Sequence, residues 1–117
     1  MWKINWTLIT KSQAKRVKKK HTAEFESCVA QIATAQKYLN MGLKIGGKLK
    51  FGTLRSESGG VYRVGQSGIP SPKETRIYLY FDEDSKIIHV VGMGFKEGQS
   101  KDINEAKKLV KKIREAK

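Results

Sequence analysis

Two β-rich runs separated by one tight acidic turn do most to constrain this chain. Glu74 to Phe81 and Lys86 to Met93 are dense in Ile, Val, Tyr and Phe, and only Asp82-Glu83-Asp84-Ser85 stands between them. Asp and Ser side chains bond readily to nearby backbone, so the pattern predicts a β-hairpin. Val61 to Gln66 predicts a third strand, joined to the hairpin by the longer and stiffer Ser67-Gly68-Ile69-Pro70-Ser71-Pro72. The three should pair as an antiparallel meander.

Helical periodicity flanks the meander. Ser100 is a candidate cap for a C-terminal helix in which Ile103, Ala106, Leu109, Val110 and Ile113 form an apolar stripe, with Lys101, Lys107, Lys108, Lys111, Lys112 and Arg114 filling the remainder. Upstream, Trp2, Ile4, Trp6 and Leu8 alternate with polar residues as in a half-buried strand. Ser12 could cap a short basic helix reaching Lys20. Thr22 with Glu24 marks the start of a second helix, whose face Phe25, Cys28, Val29, Ile32, Gln36 and Leu39 runs until Asn40 and Gly42 end it. From Gly42 to Gly60 the glycines at 42, 46, 47, 52, 59 and 60 predict a loop, within which Leu49, Phe51 and Thr53 could form a short strand. The expected fold is α+β over residues 1–117 as one domain: an N-terminal strand and helical hairpin, then an antiparallel three-strand meander and a C-terminal helix. The helices are expected on one face of a mainly antiparallel sheet.

At 117 residues the chain can bury roughly 65% of its unfolded surface in one core. Twenty-four Lys and Arg against 11 Asp and Glu give a formal charge of +13, more than solubility requires, so the expected partner is negative. Nucleic acid leads, because each neutralised phosphate releases counterions. An acidic protein comes next, and a membrane surface is the weaker candidate. A single cysteine, Cys28, excludes an internal disulfide framework and a Cys-rich zinc site. No apolar run spans a bilayer and MWKINWTLIT lacks the layout of a leader, so a cytoplasmic protein is expected.

Alternation places Ile77, Leu79 and Phe81 on one face of their strand and Arg76, Tyr78 and Tyr80 on the other, and Arg63 in the preceding strand can share the second face. If that face is open, two arginines beside two tyrosines offer phosphate forks and stacking area. Ordinary cross-strand packing is the competing account of the tyrosines. Lys96 follows the glycine-flanked Gly92-Met93-Gly94-Phe95 and can bind a phosphate or stabilise developing charge, or simply be solvated. His89 is a candidate general acid or base if it faces the arginines, and otherwise a histidine satisfied within the sheet. No metal site is expected, since His21 and His89 lack neighbouring ligands. No glycine segment has phosphate-loop or dinucleotide-fold spacing, so no cofactor is expected.

The run VYRVGQSG followed by TRIYLYFDEDSKIIHVVGMGFKEGQSKDI resembles the C-terminal half of toxins of the RelE/ParE superfamily, found in type II toxin-antitoxin modules. The predicted strand and helical hairpin upstream match that family's order of elements. In its RelE branch the resemblance implies a metal-independent endoribonuclease that cleaves messenger RNA on the ribosome by 2′-hydroxyl attack. Arg63 is then similar to the first basic residue of the catalytic constellation, Arg76 to its central arginine and Lys96 to the basic residue after the last strand. Gly65 stands where RelE has a second lysine, and Asp102 or its neighbours where RelE has a C-terminal tyrosine. Tyr78, Tyr80 or His89 would therefore have to supply proton transfer. RNA contacts are expected from Tyr78, Tyr80, Lys101 and Lys107, and an acidic antitoxin is the implied protein partner. The resemblance equally allows a ParE-like DNA gyrase inhibitor without enzymatic activity, or a relative that only binds RNA.

Overall fold

The acidic turn does close a hairpin, and the reason is visible at its first residue. In the computed structural model, which describes residues 1–44, 52–71 and 73–117, β4 (Thr75–Asp82) and β5 (Ile87–Phe95) pair antiparallel. The Asp82 carboxylate accepts from the Asp84 and Ser85 backbone N–H groups, at 3.2 and 3.5 Å, and from Lys117 Nζ at 2.6 Å. The other elements are β1 (Lys3–Asn5), α1 (Lys11–Lys18), α2 (Thr22–Asn40), β2 (Arg55–Ser56), β3 (Tyr62–Gly65), a single 3₁₀ turn (Lys96–Gly98) and α3 (Gln99–Glu115). The sheet order is β1-β5-β4-β3-β2, with β1 parallel to β5 and the other pairs antiparallel. Among the described residues a mixed five-strand sheet and three helices make this an α+β domain. Among the described residues no helix is long and apolar enough to cross a membrane.

Several boundaries differ from expectation for local reasons. Helix α1 is capped by Thr10 rather than Ser12: Thr10 Oγ1 accepts from Gln13 N–H while Gln13 Oε1 accepts from Thr10 N–H, so two otherwise unpaired donors are satisfied reciprocally. Helix α3 starts at Gln99 and has no side-chain cap, so Ser100 lies inside it. Strand β2 lies in the region expected to be a loop, paired through Arg55 with Arg63 and Ser56 with Tyr62. The strand considered for Leu49, Phe51 and Thr53, the glycines at 46 and 47, and Pro72 fall wholly or partly outside the described residues.

The largest difference is in the layers. Trp2, Val17, Cys28, Ile32 and Leu39 pack with Val64, Ile77, Leu79, Phe81 and Ile88 on one face of the sheet, beneath α1 and α2. Ile103, Ala106 and Val110 of α3 pack on the opposite face with Val61, Tyr78, Tyr80 and Val91. Helices therefore cover both faces, where one covered face was expected. The second apolar surface demands this, because each fully buried large apolar side chain is worth roughly 1.5–3 kcal/mol and α3 has a complementary stripe. Glycines in β5 let the helix approach: a Cβ on Gly92 would lie 3.8 Å from the Asp102 carbonyl oxygen, and one on Gly94 would collide with the Asp102 carboxylate.

Candidate nucleic-acid interface

Parity and register bring the predicted arginines to the same side of the sheet. Arg63 stands opposite Tyr78 and Gly65 opposite Arg76, so Arg63 and Arg76 occupy neighbouring positions on the α3-facing side. The Arg76 guanidinium lies across Gly65, where a Cβ would stand 2.6 Å from Nη1. Gly65 is thus the floor on which Arg76 rests.

At the start of β4 two cations meet one carboxylate. Glu74 Oε2 is 3.2 Å from Lys96 Nζ and 3.7 Å from Arg76 Nη2. The hydrogen bond and charge of Lys96, then the charge of Arg76 and more weakly that of Arg63, hold Glu74 below the usual carboxylate range. The pairing of strand ends sets this meeting, because Lys96 N–H donates to the Glu74 carbonyl at 2.9 Å. Arg63 bonds Glu57 through its Nε. The Arg76 side chain is largely buried, and its Nε has no hydrogen-bond partner among the described residues. Lys96 is well exposed. Glu74 and Glu57 were not among the predicted residues, although Glu74 shares the parity of Arg76 and could have been placed beside it by alternation.

The tyrosines are not a stacking surface. Tyr78 is completely buried and Tyr80 is 8% exposed, both under α3. The Tyr78 hydroxyl has no partner among the described residues, and burial, reinforced by the charge of Asp102, pushes its phenol well above the ordinary range. Tyr80 lies parallel to the His89 ring, with centroids 6.1 Å apart, and the Arg114 guanidinium sits 5.3 Å from the centre of its ring.

His89 is also away from the arginines. It sits near the start of β5, whereas Lys96 follows its end, about 20 Å further along at the rise of a strand. Thr7 donates twice to Asn5 Oδ1, which leaves the Asn5 amide nitrogen to donate to His89 Nδ1 at 3.0 Å. That ring nitrogen must be unprotonated, so the imidazole is neutral with its proton on Nε2. Burial lowers the His89 pKa in the same sense. It is the satisfied sheet histidine rather than an acid or base serving Arg63, Arg76 and Lys96.

The two predicted lysines of α3 part company. Lys101 lines a cleft of about 350 Å³ between α1 and the start of α3, together with Arg16, Lys73, Glu97, Asp102 and Glu105. Asp102, raised by burial, faces Arg16 there without closing an ion pair. Cations and carboxylates are balanced in that cleft, which suits a polyanion poorly. Lys107 instead lies against Gly59 in the turn before β3.

Comparison with protein-family models, curated proteins and solved structures finds no match to this chain.

Proposed function

We propose that this domain grips RNA through Arg63, Arg76 and Lys96 and is the toxin of a type II toxin-antitoxin module of the RelE/ParE kind, cleaving messenger RNA on the ribosome. One observation carries the reading: Arg76 and Lys96 converge on a single oxyanion, the Glu74 carboxylate, with Arg63 close enough to act on it. A phosphodiester needs the same surroundings as it gains charge under attack by its neighbouring 2′-oxygen. In that step the 2′-oxygen bonds to phosphorus, its proton goes to solvent or a nearby base, and the 5′-oxygen leaves and is protonated. Arg76 and Arg63 would hold the phosphoryl oxygens, and the exposed Lys96 has the reach to protonate the leaving oxygen. The +13 charge supports fast capture both of RNA and of an acidic antitoxin.

Burial of Tyr78, Tyr80 and His89 favours a second reading. With the three expected proton-transfer groups withheld, and the neighbouring Glu74 and Glu57 engaged in ion pairs with the cations, the same surface would hold its target, RNA or DNA gyrase, without cutting it.

A cell-free translation reaction with mapping of messenger 5′ ends separates the two. Cleavage that needs translating ribosomes, and that falls by about 10²-fold or more in Arg63→Ala or Lys96→Ala, is the expected result, about 2.7 kcal/mol of transition-state stabilisation. Blocked translation on intact messenger would leave the binding reading. Undiminished translation on intact messenger would remove the ribosome as target.

A further inference from the structure

The turn before β3 brings unpaired backbone N–H groups and two cationic side chains together. Ser58, Gly59 and Gly60 are consecutive left-handed residues, with φ of 66°, 60° and 84°. The turn is closed by Val61 N–H donating to the Ser58 carbonyl at 3.0 Å and Glu57 N–H to the Val61 carbonyl at 2.8 Å. Ser58 N–H is taken up by Ser56 Oγ at 3.4 Å. The N–H groups of Gly59 and Gly60 have no acceptor among the described residues. Successive free N–H groups in such a turn form a concavity that favours anions.

Two cations straddle this turn. The Lys107 stem lies over Gly59, where a Cβ would be 3.2–3.3 Å from its Cγ, Cδ and Cε, and Arg114 Nη2 is 2.6 Å from the Cβ position of Gly60. Lys107 and Arg114 are two helical turns apart, roughly 10 Å along α3, and the buried Val110 between them seats the turn on the helix. Neither cation has a carboxylate within ion-pair distance among the described residues, and Glu57, which precedes the turn, is held by Arg63. Left-handed backbone is needed twice over: it frees the N–H groups, and its glycines leave room for the cationic side chains.

We propose that the Ser58-Gly59-Gly60 turn, with Lys107 and Arg114, binds a backbone phosphate of the same RNA strand that Arg63, Arg76 and Lys96 engage. Chain continuity favours one track, because Glu57 joins the turn directly to Arg63. The inference rests on the RNA reading above. It adds that contact extends to the C-terminal half of α3 and is made to phosphate rather than to bases. The Ser58-Gly59-Gly60 turn carries no aromatic side chain, and Tyr78 and Tyr80 are buried under α3.

The test is amide NMR on the ¹⁵N-labelled wild-type chain, titrated with a short RNA oligonucleotide and, separately, with inorganic phosphate at constant ionic strength. The Gly59 and Gly60 amides are expected to shift saturably with both. Lys107→Gln and Arg114→Gln should each flatten the dependence of log affinity on log salt by about 0.7, one phosphate contact on a single strand. RNA binding that leaves the Gly59 and Gly60 amides unmoved and the salt slopes of both variants unchanged overturns this site while the RNA reading stands. Failure of the oligonucleotide to bind anywhere overturns both.

Discussion

Replacing Tyr78 with Phe should stabilise this protein. The side chain is completely buried and its hydroxyl lacks a hydrogen-bond partner, so the folded state bears the desolvation of a polar group with nothing in return. An unsatisfied buried hydroxyl costs about 1–3 kcal/mol. Phe keeps the ring in its packing with Val61, Val91 and Ile103 and leaves only an oxygen-sized gap. A gain of about 1–2 kcal/mol is therefore expected. Unfolding entropy of about 2.1 cal/mol/K per residue amounts to about 0.25 kcal/mol/K over 117 residues, so Tm should rise by about 4–8 °C. Urea unfolding should show a higher midpoint at an unchanged slope. A loss of about 1 kcal/mol instead would refute the reasoning, because it would mean that the hydroxyl has a partner in solution. Alkaline pH supplies an independent check. The folded-state pKa of Tyr78 is raised above its ordinary value of 10.0, chiefly by burial and then by Asp102, so the folded state disfavours the phenolate. The associated stability is fully present below pH 10.0 and is lost as pH rises above it, and Tyr78→Phe should lack that loss.

Gly94→Ala should cost about 1–3 kcal/mol, since its Cβ meets the Asp102 carboxylate, and a double-mutant cycle with Asp102→Ala in urea should recover much of that loss. The folded-state pKa of His89 is depressed below 6.5, so its contribution is present above pH 6.5 and lost as pH falls toward the folded value. His89→Gln, whose side-chain oxygen can still accept from Asn5, should flatten stability against pH in that window. The Glu74→Gln substitution removes the charge shared by Lys96 and Arg76, and RNA affinity should rise at low salt and converge with wild type at high salt. Weaker binding by this variant would show that Glu74 positions the cations rather than competes with the phosphate.

Local periodicity and turn chemistry determined most of the elements by themselves. The acidic turn announced the β4–β5 hairpin, the alternation in β4 separated Ile77, Leu79 and Phe81 from Arg76, Tyr78 and Tyr80, and the same parity placed Arg63 beside Arg76. These features depend on neighbours in sequence or on the two-residue repeat of a strand, so they are written in one dimension. Whether a face is open depends on what packs over it, and here α3 had two sheet faces to choose from. It took the one carrying Tyr78, Tyr80 and Val91, where Gly92 and Gly94 admit a helix, and so closed the surface expected to stack bases. The sharing of Glu74 by Lys96 and Arg76, the isolation of His89 and the seating of Gly59 and Gly60 between Lys107 and Arg114 were likewise decided by tertiary structure. Each joins residues far apart in the chain or on different elements, and no periodicity along the chain specifies which of them will meet.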